Sequence, residues 1–115
     1  MNTRKLSNAQ EKEVAKIIGG RVQPNSGAGD FKKGDVKHKY AMVECKTSAT
    51  TKKSYSVKWD DLMKLKKTRI EMGLPYAALA FNFGPNTENF YVVSEREFNA
   101  FLDMIEREER SCHEN

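Results

Sequence analysis

The 115-residue sequence predicts a mixed α/β domain, a small central mixed β-sheet flanked by helices. Apolar residues recur at helical spacing near both ends of the chain. A run at 41–46 alternates with the two-residue period of a strand. Glycine, proline and asparagine clusters separate short apolar runs from the helical stretches between them. No internal repeat or long linker interrupts the chain, so a single domain over 1–115 is expected, with a charged tail from about residue 106 that frays.

Residues 7–18 read as the first helix. Leu6, Gln10, Val14 and Ile17 fall near one face with Ile18 beside it, Ser7 is placed to cap, and Gly19-Gly20 stops the helix. Residues 21–24 are extended, and 25–30 form a turn-rich loop. Residues 34–37 and 40–46 then pair as a hairpin about His38-Lys39, with Ala41, Val43 and Cys45 on one face and Met42, Glu44 and Lys46 on the other. His38 reads as a turn residue rather than a base.

The polar stretch 47–54 is expected to be a mobile loop, and 55–57 a short strand. A helix over about 60–72 ends at Gly73, with Pro75 beyond it. Strands follow over 76–83 and 89–93, joined by Gly84-Pro85-Asn86. Ser94-Glu95-Arg96-Glu97 is a capping box for a last helix whose Phe98, Phe101, Leu102 and Ile105 lie at helical spacing. Phe81, Phe83, Phe90, Phe98 and Phe101 are expected in the core or on an apolar dimer face. Trp59 and Tyr55 flank the second helix, where packing in the core or at a dimer contact is favoured over stacking on a splayed base.

Composition bounds the function. Hydrophobic residues make up 38% and charged residues 31%, enough for one modest core under a wet surface. No stretch approaches the roughly 20 apolar residues of a membrane span. The N-terminus has no apolar run behind it, so no secretory signal, no membrane partner and a cytoplasmic location are expected. Cys45 and Cys112 have neither disulfide-framework nor zinc-site spacing. The charge is unevenly spread: residues 31–72 carry twelve Lys and Arg against five Asp and Glu, a net +7, whereas the rest of the chain carries −3. A basic middle between acidic ends suits a polyanion, or equally a solvated lysine-rich surface.

Within that basic stretch lie Asp35, Glu44 and Lys46. Glu44 and Lys46, two apart on a strand, point the same way. A hairpin centred between His38 and Lys39 sets Asp35 opposite Met42, on the face of Glu44 and diagonal to it at roughly 5–8 Å; one extra loop residue would turn Asp35 away. Paired carboxylates attract a hard divalent cation such as Mg2+. A neighbouring lysine can orient an attacking water and stabilise a phosphoryl transition state. These are the parts of metal-assisted phosphodiester hydrolysis. Lys32, Lys33, Lys37, Lys39, Lys52, Lys53 and Lys58 are candidate phosphate contacts.

The segments Pro24-Asn25-Ser26-Gly27-Ala28-Gly29-Asp30, Lys33-Gly34-Asp35-Val36 and Val43-Glu44-Cys45-Lys46-Thr47 together resemble the archaeal and phage type of Holliday-junction resolvase, in the PD-(D/E)XK nuclease superfamily. The resemblance runs from about Glu11 to Ile105. It implies a restriction-endonuclease-like core and a homodimeric endonuclease that cuts four-way DNA junctions with Mg2+, for which Mn2+ substitutes. By that resemblance Asp35 and Glu44 bind the metal and Lys46 is the motif lysine. Glu11 on the first helix completes the metal site, with Glu13 as the alternative, and Ser26 is the loop serine that touches phosphate or the metal shell. The motif proline is replaced by Gly34, and Asp30 is a rival acid to Asp35. Another PD-(D/E)XK nuclease, restriction-like or nicking, and a basic DNA-binding module without catalysis are the alternatives.

Overall fold

The computed structural model describes residues 3–24 and 35–114. The elements run α1 (Thr3–Ile18), β1 (Arg21–Val22), β2 (Val36–Lys37), β3 (Ala41–Lys46), α2 (Trp59–Met72), β4 (Tyr76–Phe81), β5 (Phe90–Val92) and α3 (Glu95–Glu114). The strands form one sheet in the order β1-β2-β3-β4-β5. Neighbours are antiparallel except β3 and β4, which run parallel. Parallel neighbours need a long crossover, and the segment containing α2 supplies it.

Two layers close on the sheet. Val36, Val43, Cys45 and Ala80 pack with Val14 and Ala15 of α1 on one face. Met42, Ala77 and Leu79 pack with Leu65 of α2 and with Leu74 on the other. Met42, Leu79, Val14 and Val36 are the largest fully buried side chains. Each contributes roughly 1.5–3 kcal/mol by leaving water. Gly73 ends α2 in the left-handed region at φ 68°, with its N–H on Ile70 O, as the sequence predicts. The capping box at α3 forms: Glu97 N–H donates to Ser94 Oγ, and Ser94 N–H to Glu97 Oε1. Glu97 also accepts the Ala77 N–H at 2.6 Å, tying the start of α3 to the start of β4.

Several expectations are corrected. α1 begins at Thr3, before Ser7, which is therefore interior and donates to Glu11 one turn on. Ile17 is exposed, and Ile18 instead joins the core. Residues 55–57 are not a strand, because Tyr55 stacks on Phe81 from the α2 side rather than pairing at a sheet edge. Residues 47–54 are pinned to the end of β4, through Ser48 to Asn82 and through Lys52 N–H to Phe83 O at 2.8 Å. The charged tail stays helical to Glu114. Of the two places expected for Phe90 and Phe98, the core is excluded, since both are exposed.

Candidate active site

Strand alternation fixes the first two residues. Val43 and Cys45 are buried against α1, so Glu44 and Lys46 share the α2 side of β3 with Met42. Met42 is closed over completely, whereas Glu44 and Lys46, nearer the C-terminal end, are half-buried. Their neighbours on β4 are Leu79 and Phe81. A carboxylate beside a fully buried leucine is an unfavourable placement for a charge unless something compensates it.

Asp35 reaches this strand by a register different from the expected one. Val36 pairs with Val43 and Lys37 with Met42, so Asp35 lies beyond the last ladder pair, next to Val43, instead of opposite Met42. The reason is the turn. His38 N–H bonds Ala41 O at 2.8 Å, leaving Lys39 and Tyr40 as the loop pair, and His38 Nδ1 accepts the Tyr40 N–H. The hairpin is therefore centred one residue later than predicted. Asp35 N–H bonds Val43 O next to the Val36–Val43 pair, the pattern of an extra residue in β2. There the Asp35 carboxylate lies along the edge of β3: its Oδ2 accepts the Cys45 N–H at 2.7 Å. Cys45 is the residue between Glu44 and Lys46.

The two glutamates of α1 diverge. Glu13 accepts from Asn89 Nδ2 at 3.4 Å. With burial and Cys45, the Glu13 charge raises the pKa of the Tyr91 phenol, so it lies toward β5. Glu11 lies toward β3. Burial pushes the Cys45 thiol pKa far up, and the charges of Asp35, Glu11 and Glu44, in that order, push it further. The charges of Asp35, Glu11 and Glu44 thus each act on the Cys45 thiol, which faces α1, whereas Glu44 itself stands on the α2 side.

A carboxylate set of this kind is a hard-oxygen donor set, which suits Mg2+. The Cys45 N–H takes one Asp35 oxygen and leaves the other for a ligand. Among the described residues no three His, Cys, Asp or Glu side chains are drawn together closely enough to hold a metal. The acids are therefore neighbours through a common residue rather than a closed cage.

The remaining candidates are distributed as follows. Ser26, Lys32, Lys33, Asp30 and the 25–30 loop lie outside the described residues. Lys37, paired with Met42, is half-buried; Lys39, Lys52, Lys53 and Lys58 are exposed. Lys52 and Lys53 ride on the segment held against β4. A cleft of about 550 Å³, lined by Gln10, Glu13, Thr47, Asn82 and Gly84 among others, opens beyond the same end of β3.

Sequence reasoning missed a polar clamp beneath Lys46. The buried Gln10 donates through Nε2 to Lys46 O and Asn89 Oδ1, each at 3.0 Å, and more distantly to Ala80 O. It fastens the helix that carries Glu11 to the strand that carries Lys46. The signal was present: Gln10 stands in the apolar stripe of α1, where a polar side chain needs a partner. Asn82 likewise takes N–H groups of Ser48 and Gly84 on its Oδ1.

Comparison with protein-family models, with curated proteins and with solved structures gives no match for this chain.

Proposed function

We propose that the chain is a metal-dependent, structure-selective DNA endonuclease with a restriction-endonuclease-like core, similar to the Holliday-junction resolvases, that nicks four-way junctions inside the cell as a homodimer. One observation carries this reading. The Asp35 carboxylate accepts the N–H of Cys45, the residue between the half-buried Glu44 and Lys46 in β3, while the charge of Glu11 acts on the Cys45 thiol and Glu13 turns to Asn89.

Asp35, Glu44 and Glu11 would hold Mg2+ or Mn2+, which when bound supplies charge neutralisation at the phosphate and a more acidic water. The chain's own residues do the rest. Lys46 extends on the face of Glu44, where its ammonium can orient the attacking water and offset charge building on the phosphoryl oxygens. The Gln10 bond to Lys46 O holds that stretch of strand in place. Lys37, Lys52, Lys53 and Lys58 supply phosphate contacts that position a duplex without reading its sequence. Phe98, Leu102 and Ile105, exposed on α3, are the proposed homodimer surface, and paired sites suit the two-fold symmetry of a junction.

A non-catalytic basic DNA-binding module is the second reading, favoured by the absence of a gathered three-acid cluster among the described residues. Incubation of a synthetic four-way junction and a linear duplex with the protein, in Mg2+ and in chelator, separates the readings. Metal-dependent nicks confined to the junction support a resolvase. Cutting of both DNAs points to another nuclease of the same superfamily, and binding without cutting points to the module.

A further inference from the structure

Trp59 is the single tryptophan of the chain, and it is 71% exposed. The sequence predicts a core or dimer-contact position for it; the core is excluded, because the side chain stands in the open with no ring partner among the described residues. Ordinary packing does not explain an indole left this wet, since burial of one contributes more than burial of almost any other side chain.

Its place is set by the chain just before it. Lys52 N–H is fixed to Phe83 O, and Tyr55 is stacked on Phe81 at 4.4 Å between ring centres. Phe81 is the β4 neighbour of Lys46. Four residues after Tyr55, and hence within about 14 Å of it, Trp59 opens α2. It therefore stands at the Lys46 end of the sheet, on the side toward which Glu44 and Lys46 project. The residues just before it are cationic and apolar: Lys58 and Val57 are exposed, as are Lys52 and Lys53 earlier in the same segment. Asp60 and Asp61 are the opposing charges. Asp61, after burial, raises the pKa of the Tyr55 phenol, so its charge is directed toward Tyr55.

We propose that Trp59, next to Lys58, is a stacking platform for an unpaired nucleobase of the DNA on which the candidate site acts. An exposed aromatic face beside lysines is what single-stranded nucleic acid recognition uses: the ring takes the base and the ammonium groups take the adjoining phosphates. A duplex with every base paired offers Trp59 nothing to stack on. A branch point, where bases at the crossover unstack, does. The inference rests on the DNA-processing reading and adds a feature of the substrate to it.

Because the chain has one tryptophan, its emission reports this residue alone. The wild-type protein is titrated without divalent metal with a short oligodeoxythymidylate, a linear duplex and a four-way junction. Binding is followed in parallel by anisotropy of dye-labelled DNA. Saturable quenching by the single strand and the junction, weaker with the duplex, is expected. Trp59→Ala should weaken single-strand binding by about 5- to 150-fold, and Trp59→Phe should restore most of it. Unchanged thermal unfolding of both variants confirms that the fold is intact. Undiminished single-strand or junction binding by Trp59→Ala with unresponsive wild-type emission overturns the platform and leaves the DNA reading standing. Wild type that binds no DNA overturns both. Emission that shifts with protein concentration alone assigns the ring to a second copy of the chain and overturns the platform.

Discussion

The main-chain N–H of Cys45 donates to the Asp35 carboxylate across 2.7 Å, so the acid just before β2 is fastened to the strand that carries Glu44 and Lys46. This bond has a structural side and a chemical side, and substitutions separate them. Asp35→Asn keeps an acceptor for the Cys45 N–H and removes the charge. It is expected to unfold within about 1 kcal/mol of wild type. Asp35→Ala leaves that N–H without its acceptor and should lose about 1–2 kcal/mol, the lower part of the range for a charged hydrogen bond because Asp35 is only half-buried. Urea denaturation measures both. Equal stability of the two variants would mean that the bond contributes nothing to the fold.

Glu11 and Glu13 are two residues apart on one helix and face different surroundings. Glu11→Gln is expected to weaken Mg2+ binding by at least the roughly 10- to 100-fold that loss of a supporting partner alone brings. Glu13→Gln, whose side chain is engaged by Asn89, should leave it within a few-fold. Calorimetric titration of each variant with Mg2+ makes the comparison. The opposite order would move the metal site toward β5.

Gly84 holds the lysine-bearing segment in place. Its φ is +128°, and a Cβ there would lie 2.7 Å from Thr51 Cα. Gly84→Ala is expected to cost about 1–3 kcal/mol in backbone strain alone. It should also displace Lys52 and Lys53 from the end of β4. Each lysine withdrawn from a phosphate lowers the slope of log affinity against log salt by about 0.9 for duplex DNA. Denaturation and a salt series of binding isotherms give the two readouts. A stable variant with an unchanged slope would show that the segment does not depend on this close approach.

α3 leaves Phe98 57% and Ile105 58% exposed. A second copy of the chain would bury them. Phe98→Glu or Ile105→Asp should therefore yield a monomer in sedimentation analysis, with little change in thermal stability of the isolated fold. A wild type that sediments as a monomer at high concentration would remove the dimer.

Much of this was legible in the chain because the signals were local. The two-residue period of 41–46 placed Glu44 and Lys46 together, and Ser94 with Glu97 marked the start of α3. Gly73 marked the end of α2. What escaped depended on contacts distant in sequence. The β2–β3 register turned on which residues formed a two-residue loop, which the composition of His38-Lys39-Tyr40 does not specify. The attachment of 47–54 depends on Asn82, more than thirty residues away. The exposure of Trp59 and Phe98 excludes the core place expected for each, and the residues around them in sequence do not specify what packs on them.

Junction cleavage in Mg2+ by wild type and by Lys46→Ala is the most direct test of the site. Lys46 is half-buried at the end of β3, so the variant should fold and still bind the junction. Symmetric nicking by wild type and a loss on the order of 10²-fold or more in Lys46→Ala are expected. Equal rates for the two proteins, or no nicking by wild type in Mg2+ or Mn2+, would contradict a catalytic centre at Asp35, Glu44 and Lys46.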